Sequence, residues 1–179
     1  MDHDRLHHRP GTPWVRLAPA RRWCPKKGDP PDLAAAREGL GRSRGGLTTK
    51  VHAACDALGN PVRYLLTPGQ RNDVTQATEL LGGYEVGAVL ADAVLADKGY
   101  DAGWLVDQIE AAGALAVIPP KKNRVEQRSY DANLYADRNK IERLFNRLKH
   151  YRRVATRYEK TGRNYLSVVF LASTLISLL

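Results

Sequence analysis

Residues 135–150 read YADRNKIERLFNRLKH. On a helix of 3.6 residues per turn, Ile141, Leu144, Phe145 and Leu148 fall at i, i+3, i+4 and i+7. They form one apolar stripe, so this segment is expected to lie against a core. Arg138, Glu142, Asn146 and Lys149 follow one another along a second face. One carboxylate therefore stands on a rigid element with basic and amide groups a turn away on either side. Such a face suits metal ions and phosphates, and it equally suits a solvated surface stitched by helical ion pairs. The choice between the two depends on the segment that ends at Asp97.

There the sequence nearly repeats itself, as AVLAD at 88–92 and again at 93–97, before Lys98-Gly99-Tyr100-Asp101. A short apolar strand that ends in Asp and runs into a glycine turn puts its carboxylate at the strand's C-terminal edge, where ligand sites gather in sheets that carry helices. Asp101 is placed to cap a helix over 102–112, with Trp104, Leu105, Gln108, Ile109 and Ala112 near one face and Trp104 in the core. Gly113 ends that helix, and 114–118 reads as a buried strand stopped by Pro119-Pro120. A strand–helix–strand unit of this kind implies a parallel, right-handed crossover.

Further upstream, the Thr- and Val-rich alternation of 47–55 and the run 61–67 are expected to pair as a hairpin across the turn residues 56–60. His52 is expected to be half-buried within the first of these strands. Asn72 or Asp73 opens a helix to about Leu81, with Gly82-Gly83 ending it. After the crossover come a basic loop (Lys121, Lys122, Arg124, Arg128), the helix of the opening stretch from about Asp137, a charged connector over 151–160 and a helix over 162–177. The apolar run 166–179 is too short for a membrane span of ~20 residues and is read as a buried helix. Residues 1–40 are rich in proline and arginine without a sustained period, and loop is the expectation. Asp2, His3, Asp4, His7 and His8 cluster there, but no second ligand group stands at motif spacing, and a mobile terminus accounts for them.

The chain has 179 residues and a formal charge of +9, enough for one domain with a real core. The charge is unevenly spread: 11 basic and 5 acidic groups over 1–50, 3 and 9 over 51–118, and 14 and 5 over 119–165. Two basic blocks around an acidic centre point to a polyanion partner, most simply nucleic acid. Two isolated cysteines, Cys24 and Cys55, exclude a disulfide framework or a zinc site and fit a reducing, cytoplasmic setting.

Cutting a phosphodiester requires a cation cluster that activates the attacking oxygen and neutralises the leaving one. Mg²⁺ accepts a few carboxylates plus water and phosphate oxygens. Asp97 at a strand end and Glu142 on a helix have the chemistry to hold it, with Arg138 and Lys149 placed to grip a DNA backbone. Three stretches carry a family likeness: GRSRGGLTTKVHAACDALGNPVRYLLTPGQRND, then LADKGYD, then the spacing Tyr135-x2-Arg138-x3-Glu142-x6-Lys149. Together they resemble the DDE transposases of bacterial insertion sequences, groups four and five.

The resemblance covers 41–179 and implies a ribonuclease H-like α/β fold, incomplete at its first strand. It also implies DNA cleavage and strand transfer with Mg²⁺ (Mn²⁺ as an alternative) at terminal inverted repeats and target DNA, nucleoid-associated and away from any membrane. Asp97 resembles the second catalytic and metal-binding acid and Glu142 the third; Tyr135, Arg138 and Lys149 resemble the DNA-facing signature residues, joined by the loop cations Lys121, Lys122 and Arg124.

The chain departs from the family pattern at its start. The first acid belongs in an early strand upstream of GRSRGG, and no such strand is read there; Asp2 and Asp4 are the acids nearest the expected place, and Asp56 lies in the hairpin turn. The expectation is a catalytic portion over 41–179 preceded by an unstructured or out-of-frame 1–40. It would be inactive alone and would partner an upstream-frame product or a full-length transposase. The competing reading is a basic DNA-binding remnant that occupies element ends without cutting them.

Overall fold

The computed structural model describes residues 15–16, 31–43, 46–81, 92–125 and 127–178. It is a mixed α/β arrangement built on two three-stranded sheets. The expected hairpin forms from β3 (Gly46–Cys55) and β4 (Pro61–Pro68), antiparallel, with His52 opposite Leu65 and Val51 opposite Leu66. Its turn is held by Asp56, whose Oδ1 accepts from the Leu58 and Asn60 amides at 2.9 and 2.8 Å. The short β2 (Gly41–Ser43) pairs with the near end of β3.

The second sheet contains the crossover. β5 (Ala93–Leu95) lies parallel to β6 (Leu115–Val117), with α3 (Gly103–Ala111) between them in the chain. β5 is buried throughout, as its unbroken apolar sequence requires. Leu115 of β6 is exposed, so the strand expected to be buried is covered only toward Val117.

Residues 1–40 hold more structure than their composition suggests. β1 (Val15–Arg16) pairs in parallel with β5 and lies beside β3, where the two sheets meet. α1 (Pro31–Arg37) starts on a proline, whose fixed φ suits the first helical position, and continues through three alanines. The Glu38 carbonyl after α1 accepts from Arg157 Nη1 at 2.7 Å, and the Glu38 carboxylate accepts from the Gly162 amide. Residues 31–40 are thereby tied to the C-terminal part of the chain. Asp2, His3, Asp4, His7, His8 and Cys24 lie outside the described residues.

The organising helix is split. α4 (Ala132–Ala136) is capped by Asp131, whose Oδ1 accepts from the Asn133 and Leu134 amides. A tightened turn through Asp137 and Arg138 then leads into α5 (Asn139–Lys149), with the Arg138 amide bonded to the Tyr135 carbonyl at 2.9 Å. The apolar stripe behaves as its period demands: Leu144 and Leu148 are buried, and Ile141 and Phe145 pack against the same core.

After α6 (Arg152–Ala155), α7 (Gly162–Leu178) buries Tyr165, Val169, Ala172, Ser173 and Ile176 but exposes Phe170, Leu171, Leu175 and Leu178. The expected buried helix is thus buried along one side, which packs on β4, α5 and α6. Among the described residues no helix is long and apolar enough to cross a membrane. Trp104, expected in the core, is 47 % exposed; Leu105, Val106 and Ile109 are the buried face of α3.

A cleft between a strand end and a helix

Asp97 stands two residues beyond the end of β5, after Ala96. Its Oδ1 accepts from the Gly99 amide at 2.7 Å, closing a single 3-10 turn, Lys98–Tyr100. A Cβ at position 99 would stand 2.8 Å from that oxygen, so the turn needs glycine to let the carboxylate lie over its backbone. Among the described residues Asp97 has no ion-pair partner.

Glu142 reaches the same place from the first turn of α5. Its side chain is 55 % exposed, and Oε1 accepts from Arg138 Nη2 one turn earlier. The Arg138 guanidinium lies 5.5 Å over the Tyr135 ring, and Tyr135 meets Tyr130 edge to face. Asp97, Glu142 and Arg138 line one cleft of about 370 Å³. Two acids 45 positions apart in the sequence thus face a common space.

The other wall of that cleft comes from β3 and the turn after β4. Lys50 Nζ donates to Asp73 Oδ1 at 3.0 Å and to the Arg71 carbonyl at 2.8 Å. His52, two residues on and so on the same strand face, lies with Nε2 2.7 Å from Thr67 Oγ1 and Nδ1 3.6 Å from Asp73 Oδ1. Burial lowers the His52 pKa from 6.5 to about 4, against the opposing pull of Asp73 and with help from Lys50. The ring is therefore neutral at pH 7. Tyr100 closes the cleft, and burial raises its phenol far above the usual range, with Asp73 and Asp97 adding to the effect.

Lys50, His52, Asp73 and Tyr100 were not singled out as cleft residues from sequence. Of the two cap candidates, Asn72 takes the cap position without a side-chain bond, while Asp73, the first residue of that segment (Asp73–Gln76, then α2, Ala77–Leu81), holds Lys50. The i, i+2 spacing of Lys50 and His52 was the available signal, and it reports a shared face without saying what that face meets.

The remaining expected residues lie elsewhere. Tyr135 supports Arg138 from beneath and does not line the cleft. Lys149 is exposed near the far end of α5, and Lys122 is exposed in its loop. Lys121 and Arg124 hold Asp101 instead: its Oδ2 accepts from the Lys121 amide at 2.7 Å, and its Oδ1 accepts from Arg124 Nη1 at 2.6 Å and from Arg128 Nη2.

Asp101 does not cap α3, as had been expected from its position. The cap position is Ala102, without a side-chain bond, and the Asp101 side chain is 1 % exposed beneath its two arginines. Three donors converging from 121–128 satisfy a buried carboxylate better than a helix end could.

Among the described residues no three His, Cys, Asp or Glu side chains are grouped to hold a metal ion. Asp97 and Glu142 nevertheless offer two carboxylates to one open cleft, which is the protein share that Mg²⁺ usually takes, the rest being water and phosphate oxygens.

The family model described as "Transposase DDE domain" matches residues 22–176. A Brucella ovis protein named as a candidate transposase for insertion sequence element IS6501 is 40 % identical over 131 residues, covering 73 % of this chain and 98 % of that relative. No solved structure matches the chain significantly.

Proposed function

The chain belongs to the transposase DDE domain family, and from that premise we propose that it cuts and joins DNA at the ends of an insertion-sequence element through the cleft between Asp97 and Glu142. The observation that carries the reading is the convergence of these two acids, one from a strand end and one from a helix, on a single open space. The two parallel strands β5 and β6, the antiparallel hairpin and the helix behind them support a ribonuclease H-like plan.

In this reading Asp97 and Glu142 would hold Mg²⁺, or Mn²⁺ in its place. The bound cation would polarise a phosphoryl oxygen and favour attack at phosphorus by water or a DNA 3′-hydroxyl. The P–O3′ bond breaks as the new P–O bond forms, and the departing 3′-oxygen takes up a proton. Arg138, which rests on Glu142 in the free protein, would be the cation within reach of a phosphate oxygen in the cleft. Lys50, held by Asp73, presents a fixed positive charge across the cleft. Terminal inverted repeats are the DNA expected at this site, with Lys121, Lys122, Arg124 and Lys149 as outlying backbone contacts.

The test is direct cation binding. Calorimetry with Mn²⁺ should show a site that Asp97→Asn and Glu142→Gln each weaken at least tenfold, with unchanged circular dichroism. Unaltered Mn²⁺ affinity in both variants refutes the assignment. A second reading, DNA binding without cleavage, is favoured by one observation: the acids of the cleft are engaged by cations, Glu142 by Arg138 and Asp73 by Lys50, and among the described residues no three of them are grouped to hold a metal. Terminal-repeat DNA that is bound but left uncut with both Mg²⁺ and Mn²⁺ selects it.

A further inference from the structure

The face of α5 turned away from Glu142 carries its own charge pattern. At 100° per residue, Arg143 and Arg147 lie about 100° and 140° around the helix from Glu142, and Lys140 lies beside them. These three cations border a separate groove of about 380 Å³, whose other walls are the β3–β4 turn and the C-terminal end of α7; no acidic side chain among the described residues lines it.

The cations are held in place by the walls. Lys140 Nζ donates to the Ala57 carbonyl in the hairpin turn at 3.0 Å and to Asp137 at 3.1 Å. Gly59 sits in the left-handed region at φ +95, and a Cβ there would meet the Lys140 Cβ at 3.4 Å, so the turn lies close on α5. At the other end Arg147 Nη2 donates to the Ile176 carbonyl of α7 at 2.7 Å. Between them Arg143 is oriented by Asn139 Oδ1 at 2.7 Å. Among the described residues neither arginine has a carboxylate partner. Each has spent one donor on fixing its direction and keeps the others for the groove, since a guanidinium carries five N–H donors.

We infer that this groove, bordered by Lys140, Arg143 and Arg147, is a second binding track for the phosphate backbone of duplex DNA, separate from the acid cleft on the opposite side of α5. Charge complementarity selects the partner: a concave surface lined by three cations, of which Arg143 and Arg147 have no carboxylate partner among the described residues, fits a run of phosphates, and oriented arginines match phosphate oxygens in pairs. The inference rests on the transposase reading, which supplies a reason for two tracks: strand transfer brings together an element end and a target. The acid cleft holds the strand that reacts, and the groove anchors flanking or incoming duplex.

The experiment measures fluorescence anisotropy of a labelled duplex against salt, with the full chain, Arg143→Ala, Arg143→Ala/Arg147→Ala, and Arg163→Ala as a charge-matched change at the far end of α7. Each phosphate contact contributes about 0.9 to the slope of log affinity on log salt. The single variant should lose about one unit of slope and the double variant about two, while Arg163→Ala keeps the parent slope. Among the described residues Arg143 bonds to Asn139 on its own helix, so its single substitution remains informative if loss of the Arg147 bond loosens α7. A parent that binds DNA with the same slope as both groove variants overturns the groove and leaves the transposase reading standing. A parent that binds no duplex at all overturns both.

Discussion

His52 makes acid a specific threat to this fold. The unfolded side chain takes up a proton near 6.5, whereas the buried ring resists protonation until about 4. Between those values the unfolded state carries the extra proton, so stability from this residue is complete above pH 6.5 and falls as the pH drops toward 4. With 1.36 kcal/mol for each pH unit of separation, the chain should lose about 2 kcal/mol between pH 7 and pH 5 through His52 alone. For a domain of this size that is a fall of roughly 4–8 °C in Tm.

The assay is thermal or urea unfolding at pH 7, 6 and 5, for the parent and for His52→Gln, which keeps a polar group near Thr67 but cannot titrate. The variant starts lower at pH 7 because it repacks a buried site, so the comparison is between the two slopes. The parent should lose about 2 kcal/mol more than the variant over this range. Equal losses would show that the ring is not held neutral by burial, and the account of that wall of the cleft would fail.

Two further outcomes follow from packing. Leu148→Ala removes a side chain that is 1 % exposed at the base of the α5 stripe and should cost about 3 kcal/mol, read as a fall in the urea midpoint; a change under 1 kcal/mol would mean the stripe is not core. Asp101→Ala leaves Arg124, Arg128 and the Lys121 amide without their common acceptor and should cost about 3 kcal/mol. It should also open 121–128 to proteolysis, and an unchanged digestion pattern would contradict the pinning described above.

Much of the fold was legible in local pattern. The period of Ile141, Leu144, Phe145 and Leu148 named the buried face of α5, and the alternation of 47–55 with turn chemistry at 56–60 named the hairpin. The apolar strand before Asp97 placed that acid at an edge, because strand and helix periodicities are properties of a few successive residues. α1 was missed because one short alanine-rich turn is hidden in proline-rich surroundings. Trp104 was misplaced because aromatic character argues for the core in general without saying which side of a helix the sheet covers.

The amino-acid order alone therefore determined the hairpin, the strand–helix–strand unit, the buried stripe of α5 and the positions of the two acids near a strand end and on a helix. Packing between distant segments decided the rest. An aspartate after a strand can cap a helix or pair with arginines, and both satisfy its charge; Asp101 turned to the pair because residues some twenty positions later arrive as donors. Asp73 likewise met Lys50 and His52 only because the hairpin and the turn after it close on the same cleft. Burying a charge is costly without a partner, and which partner is near depends on the whole chain folding, not on its neighbours in sequence.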